Sequence, residues 1–191
     1  MTHSDDVPPI STPGTWNVGS GMPVGWSEAV AGWSAAATHV LLDVASTYSE
    51  VITYKKLGEA VQTRTGVRTR SLLNNWIGQV LESVALDCHR RGELLLTALC
   101  VHQDGTVGEG FAGAASHFSN GVRPADAELC AADIRLLCYQ KYALALPADG
   151  GNSRLTREEE ARRKAKEPLP PPAMCPTHRT VLPKSGQCDD C

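Results

Sequence analysis

The C-terminal end of the chain carries two closely spaced pairs of side chains that can ligate a metal ion. Cys175 and His178 are separated by two residues, and Cys188 and Cys191 have the same spacing. Each pair can point both of its side chains at one ion, and four sulfur and nitrogen ligands suit a tetrahedral Zn²⁺. The sequence therefore predicts a zinc knuckle or ribbon, with Zn²⁺ as its cofactor. A Cys-rich tail without metal and a disulfide hairpin are the alternatives.

Two residues beside these pairs favour metal binding. Pro176 stiffens the first turn, and Gly186 allows a tight turn two residues before Cys188. A segment this short has almost no apolar core, so the metal would supply most of its folding free energy. We therefore expect the C-terminal segment to be a small unit that is stabilised by zinc.

The other cysteines bear on the compartment of the protein. The chain has seven cysteines, of which Cys88, Cys100, Cys130 and Cys138 lie outside the predicted zinc site. Its N-terminus lacks the basic region and apolar run of a signal peptide, and thiols in such a chain are typical of a reducing compartment. No stretch approaches the roughly 20 apolar residues of a membrane-spanning helix. We therefore expect a cytoplasmic protein with no membrane partner.

Basic residues are concentrated in the middle of a mildly acidic chain. The formal net charge is -3, yet seven lysines and arginines stand against three acidic residues between positions 51 and 92. A local basic surface of this kind is typical of a contact with nucleic acid. Solvated helix faces without any ligand explain the same pattern equally well.

Composition divides the chain into four parts. Residues 1–25 are rich in Pro, Gly and Ser and are predicted to form a flexible arm. Residues 26–146 have the apolar periodicity of a folded core. Residues 147–173 form a linker that is first charged and then Pro-rich, and the zinc knuckle occupies residues 174–191. The core is therefore expected to fold without the tail.

The core is predicted to be mainly α-helical with one β-hairpin. Its predicted elements, in chain order, are a helix from Ser27, a helix over Tyr54–Thr65, a helix from Ser71 to about Arg91, a strand over Leu94–His102, a strand over Thr106–Phe111 and a helix from about Pro124 to Ala143. Apolar residues recur every three or four positions in the helices, and Asp104-Gly105 favours a two-residue turn between the strands. This order is that of a winged helix-turn-helix core, in which the hairpin is the wing.

A winged helix predicts which residues contact DNA. The helix from Ser71 would lie in the major groove, where Asn and Gln side chains can pair with adenine. Arginines at the helix ends would meet phosphates. The predicted DNA-binding residues are Arg64, Arg68, Arg70, Asn74, Asn75, Gln79, Arg90 and Arg91. Amides that merely solvate a surface helix are the simpler alternative.

Three segments of the core resemble one family of DNA-binding proteins. Val51-Ile-Thr-Tyr-Lys-Lys-Leu-Gly-Glu-Ala-Val61 is similar to the opening of the DNA-binding half of alkylguanine-DNA alkyltransferases and alkyltransferase-like proteins. Ile77–Leu81 resembles the helix that follows it there, and Asp104–Phe111 resembles the Gly-rich hairpin of that family. The active-site motif Pro-Cys-His-Arg is absent. The resemblance therefore implies winged-helix DNA-binding architecture without alkyl transfer.

Three functions follow from these patterns. The leading prediction is a non-enzymatic DNA-binding or DNA-associated adaptor whose partner is double-stranded DNA. The alternative is a protein-interaction module in which the C-terminal zinc tail docks a protein partner. A third function is an enzyme that uses Cys100 as a nucleophile and His102 as a base, because side chains at i and i+2 of a strand point to the same face.

Overall fold

The computed structural model describes residues 14–167, 173–179, 181–183, 186–188 and 191. Residues 1–13, the first half of the predicted arm, and residues 168–172, the Pro-rich part of the predicted linker, lie outside the described residues. The chain divides into two compact units, one ending at Glu159 and the other beginning at Glu160. This boundary falls later than the end of the core predicted from composition.

Three helices build the core of the first unit. They are α1 (Trp26–Ala45), α2 (Tyr54–Thr65) and α3 (Ile77–Arg91). Their inward faces bury one main cluster of apolar side chains, which includes Trp33, Leu57 and Val80. Burial of such side chains is the main force that holds helices together in water. The prediction of a mainly helical protein is therefore confirmed.

The ends of α2 and α3 follow from their capping residues. The Thr53 hydroxyl accepts a hydrogen bond from the Lys56 N–H at 3.3 Å, which satisfies one of the unpaired donors at the start of α2. Gly66 and Gly92 end α2 and α3 with φ angles of 67° and 66°. Glycine adopts this left-handed conformation without strain, so both ends lie where the sequence predicts them.

Trp76 interrupts the helix that the sequence predicts from Ser71. A short 3-10 helix covers Leu73–Asn75, and α3 begins only at Ile77. Trp76 itself has φ -136°, outside the helical region, and its buried ring lies 4.5 Å from the Trp33 ring between centroids. The break allows this ring to be buried while Leu72 remains 69% exposed. Packing of one large side chain therefore overrides the helical periodicity.

Five short strands occur in the described part of the chain. They are β1 (Thr15–Asn17), β2 (Pro23–Val24), β3 (Ile52–Thr53), β4 (Val67–Thr69) and β5 (Cys100–Val101). The first sheet is antiparallel with the order β2-β1-β4, and the second is the parallel pair β3-β5. Residues 15–24, part of the predicted arm, thus form two strands of an ordered sheet.

The predicted β-hairpin wing is not formed by residues 94–111. Leu96–Leu99 is a 3-10 helix, β5 pairs with β3 instead of with a return strand, and α4 (Phe111–Ser116) begins where that strand should end. The Asp104-Gly105 turn does form, and the His102 N–H donates to the Thr106 carbonyl at 2.7 Å. The next N–H, that of Val107, donates to the Glu128 carboxylate at 3.0 Å, which diverts the chain from strand pairing.

Two further helices complete the described secondary structure. The first is α5 (Ala127–Tyr142), capped by Asp126 rather than begun at Pro124, and the second is α6 (Arg157–Lys166). The buried Arg135 of α5 donates to the Ala98 carbonyl at 3.1 Å. Among the described residues, every helix is too short or too polar to cross a lipid bilayer.

Candidate functional site

The second unit brings the four predicted metal ligands together by a tight local hairpin. Met174 and Val181 form an antiparallel bridge, and the Arg179 N–H donates to the Cys175 carbonyl at 2.8 Å. Arg179 has φ 53°, which turns the chain back directly after His178. Both side chains of the first pair are thereby directed to one side of the turn.

The second pair is positioned by the glycine that the sequence identifies. Gly186 has φ 74°, and its N–H donates to the Pro183 carbonyl at 2.9 Å. This turn leads into Cys188, and the Cys191 N–H then donates to the Cys188 carbonyl at 3.3 Å. Glycine adopts such a φ angle without the strain that a residue with a side chain incurs, so it is favoured here.

The four ligand atoms form one compact cluster. The sulfur and Nδ1 atoms of Cys175, His178, Cys188 and Cys191 all lie within 4.8 Å of one another. The His178 Nδ1 atom is 3.5 Å from both the Cys188 and the Cys191 sulfur atoms. All three cysteines are in the thiol form, and the 3.6 Å between the sulfur atoms of Cys175 and Cys191 is far longer than a disulfide bond of about 2.05 Å. The cluster could therefore hold a metal ion.

Hydrogen bonds prepare one of these thiols for a cation. The His178 N–H donates to the Cys175 sulfur at 3.4 Å, which is the main reason that the pKa of the Cys175 thiol falls to about 6. The pKa of Cys191 is raised, because its thiol shares a hydrogen bond with Cys175. Cys175 therefore loses its proton more readily than an ordinary cysteine, and the thiolate is the form of cysteine that binds metals.

Six of the predicted DNA-binding residues follow one another along the first unit. They run from the end of α2 through β4 and the 3-10 helix to the first turn of α3, and they are Arg64, Arg68, Arg70, Asn74, Asn75 and Gln79. All six are exposed. Arg90 and Arg91 are also exposed but lie at the opposite end of α3, about 17 Å from Gln79 at 1.5 Å per residue.

Several of these side chains already have intramolecular partners. Arg64 forms an ion pair with Asp43 at 3.2 Å, and Asp87 pairs with both Arg90 and Arg91. The Arg70 guanidinium lies 5.6 Å from the centroid of the Trp16 ring. Sequence spacing could have revealed the Asp87 pairs, which are three and four residues apart on a helix, but not the long-range pair with Asp43.

The sequence predicts that the three amide side chains lie on one continuous helix, but the structure places them on two elements. Asn74 and Asn75 belong to the 3-10 helix, whereas Gln79 lies in the first turn of α3. The Gln79 amide accepts a hydrogen bond from the Trp26 indole N–H at 3.2 Å and donates to the Asn75 carbonyl at 3.4 Å. The break at Trp76 therefore changes the direction in which the first two amides are presented.

The thiols of the first unit lie in surroundings that disfavour nucleophilic chemistry. Cys100 is 1% exposed, and burial raises the pKa of its thiol far above the ordinary value. The exposed His102 ring stacks instead on Tyr54, with 4.6 Å between centroids. Cys88, which begins a Cys-His-Arg run in α3, is also buried, and burial raises its pKa as well. A protonated thiol is a poor nucleophile.

No family model matches the chain, and no curated protein or solved structure matches it either. The assignment of a function therefore depends on the geometry of the residues described above.

Proposed function

We propose that this protein is a non-enzymatic, zinc-containing adaptor that associates with double-stranded DNA. The main support for this proposal is the composition of residues 60–81, which include three arginines, four amide side chains and no acidic residue. Its arginines are exposed and lie within one continuous stretch of chain. Arginines contact phosphates and amides contact base edges, so the composition of this surface suits a DNA duplex.

The proposed metal of the Cys/His cluster is Zn²⁺. Zinc–sulfur bonds of about 2.3 Å and zinc–nitrogen bonds of about 2.05 Å in a tetrahedron place neighbouring ligand atoms about 3.6–3.8 Å apart. The observed separations of 3.6 Å between Cys175 and Cys191 and 3.5 Å between Cys188 and His178 agree with these edges. Three thiolates and one imidazole are also a ligand set that zinc prefers.

A closed set of four protein ligands supports a structural role for this zinc. Catalytic zinc sites keep one coordination position for water or substrate, whereas structural sites fill all four with side chains. Few of the described residues of the second unit have buried apolar side chains, and Cys175 is the buried residue of the cluster. The zinc would therefore hold the hairpin in its folded form.

The DNA contact is proposed for the surface that Arg68 and Arg70 share with Asn74 and Asn75. Arg68 projects from β4, an edge strand of the antiparallel sheet, and is exposed. The carboxylate of Asp43 lies 3.2 Å from the Arg64 guanidinium, and its negative charge lowers the attraction of this part of the surface for phosphates. The resemblance of the core to alkyltransferase-like proteins supports the same surface as an expectation.

Titration of duplex DNA with the protein at several salt concentrations tests this function. Neutralising two or three phosphates should make the logarithm of the binding constant fall against the logarithm of salt with a slope of about -2 to -3. A fluorescently labelled duplex and a measurement of anisotropy give the binding constants. Absence of binding at low salt, or affinity that is independent of salt, would exclude DNA association.

A protein-docking function is the second candidate, and one observation favours it. Met174 and Val181, which bridge the metal-binding hairpin, are 51% and 60% exposed. Adjacent exposed apolar side chains are typical of a surface that binds another protein. Replacing both residues by serine should leave DNA affinity unchanged while removing a protein partner. This result would separate the two functions.

A further inference from the structure

Leu72 is an exposed apolar residue in the middle of the proposed DNA surface. It is 69% exposed, although leucine is among the residues most often buried in folded proteins. Arg70 precedes it by two residues and Asn74 follows it by two, and both are exposed. No acidic residue occurs between positions 60 and 81. Leu72 is therefore surrounded in the chain by groups that suit a nucleic acid.

The backbone on both sides of Leu72 is held in place by hydrogen bonds. The Ser71 N–H donates to the Thr69 hydroxyl at 3.0 Å, and the Leu72 carbonyl accepts from the Asn75 N–H at 3.0 Å. The next residue, Leu73, packs against the main apolar cluster and anchors the turn to the core. A side chain on an ordered backbone loses less conformational entropy when it binds. Leu72 is thus presented to solvent by a turn that is already formed.

The two arginines that precede Leu72 share one face of the antiparallel sheet. Trp16 of β1 lies directly opposite Arg68 of β4, so their side chains point to the same face. The Arg70 guanidinium lies 5.6 Å from the centroid of the Trp16 ring and therefore reaches this face as well. Exposed arginines that act together in this way can bind phosphates and hold the duplex beside Leu72.

We propose that Leu72 is a wedge that enters between two stacked base pairs, so that the protein favours duplexes whose base steps unstack easily. This inference rests on the proposed function, because it requires the DNA contact of Arg68 and Arg70. Leucine is one of the apolar side chains that proteins insert between base steps, which unstacks the bases partially and kinks the duplex. Insertion also removes from water the apolar surface that Leu72 exposes in the free protein.

Two short duplexes that differ only at the central base pair, matched in one and mismatched in the other, test the wedge. Unstacking costs less at a mismatch, so we expect about tenfold tighter binding to the mismatched duplex at the same salt concentration. The dependence on salt should be the same for both, because the phosphate contacts are unchanged. Equal affinities would overturn the wedge while leaving salt-dependent DNA association intact. Absence of binding to both duplexes would refute DNA association itself, and the wedge with it.

The fluorescent base 2-aminopurine reports unstacking directly. Stacking on neighbouring bases quenches its emission, so the signal of a 2-aminopurine placed beside the mismatch should rise when a wedge enters. We expect the wild-type protein to increase this emission in a saturable way, at the same protein concentrations that saturate binding measured by anisotropy. Binding without any change in the emission would show that the bases remain stacked, and the proposal would then be wrong.

Substitutions of Leu72 assign the wedge to this residue. Leu72→Ala should abolish both the preference for the mismatch and the 2-aminopurine signal, with an unchanged salt slope and melting temperature, because the residue is exposed. Leu72→Met should retain the preference, since methionine also serves as a wedge. Leu144→Ala is the matched control, because Leu144 is 91% exposed and lies outside the proposed surface. A preference that persists in Leu72→Ala would overturn the proposal and leave Leu72 to a protein contact.

Discussion

The Thr156 hydroxyl donates a hydrogen bond to the Gly105 carbonyl at 2.8 Å, joining the segment before α6 to a turn that lies 51 residues earlier in the chain. Thr156 is 8% exposed, and the same oxygen accepts a hydrogen bond from the Glu159 N–H at 3.3 Å at the start of α6. The segment before α6 is therefore part of the first unit, although its charged composition predicts a linker. The contact also fixes the Asp104-Gly105 turn.

Gly105→Ala should destabilise the first unit strongly. Gly105 has φ 79°, and a Cβ there would lie 2.2 Å from the Thr156 hydroxyl oxygen. Left-handed backbone alone costs a residue with a side chain about 1–2 kcal/mol, and the steric overlap adds to this. Gly121→Ala is the matched control, because Gly121 has φ 84° but open space around it. Urea denaturation should show a larger loss of unfolding free energy for Gly105→Ala than for Gly121→Ala. Equal losses would mean that the Thr156 side chain moves aside at little cost.

Cys188→Ser should lose the metal. The protein is expected to contain one Zn²⁺ per chain, and replacing one of four ligands removes a strong zinc–thiolate bond. Cys130→Ser is the control, since Cys130 is a free cysteine outside the cluster. Elemental analysis of the purified proteins should find zinc in the wild type and in Cys130→Ser only. Equal zinc content in all three proteins would refute the site.

Replacing Arg68 and replacing Asp43 should change DNA affinity in opposite directions. Arg68→Ala removes an exposed cation and should reduce the salt slope by about one. Asp43→Asn removes the ion-pair partner of Arg64 and should increase both affinity and slope, because Arg64 is then available to a phosphate. Anisotropy titrations at several salt concentrations measure both quantities. Arg154→Ala serves as the control outside the proposed surface. If Arg154→Ala lowers DNA affinity as much as Arg68→Ala does, the effect of Arg68 is one of net charge and not of a specific contact.

Ionisation of the Tyr54 phenol should lower the stability of the first unit at alkaline pH. Burial is the main reason that the pKa of its phenol rises from 10.0 to about 12. The folded state therefore favours the neutral phenol, and this contribution is complete below pH 10.0 and is lost as the pH rises toward about 12. The difference in unfolding free energy between wild type and Tyr54→Phe should shrink over this interval. A constant difference across the interval would show that Tyr54 ionises equally in both states.

Local sequence signals predicted local structure well. The cap at Thr53, the helix ends at Gly66 and Gly92, and the turn at Gly186 each depend on one residue and its immediate neighbours. The four metal ligands could likewise be identified because two short spacings nearly determine the cluster. Such features need little information from the rest of the fold.

Long-range pairing explains what the sequence could not predict. The predicted hairpin does not form because β5 pairs with β3, which lies 48 residues earlier in the chain. In addition, the Glu128 carboxylate accepts the hydrogen bond of the Val107 N–H. Leu137 fits an apolar stripe but is 48% exposed, since Arg135 and Cys138 occupy the buried positions of α5 instead.

Shortened chains should separate the contribution of the segment before α6 from that of the metal-binding unit. A chain that ends after Lys166 keeps the Thr156–Gly105 hydrogen bond and the buried Glu159 side chain. A chain that ends after Gly151 loses both and leaves the Gly105 carbonyl without its partner.

We expect the longer of these chains to match the full-length protein in its urea midpoint, with no response to a zinc chelator. The shorter chain should be less stable by about 0.5–1.5 kcal/mol, the net contribution of one hydrogen bond, because the Gly105 carbonyl exchanges its partner for water. Equal stability of the two shortened chains would show that the Thr156 contact contributes nothing. Instability of the longer chain would instead show that residues after Lys166 support the first unit.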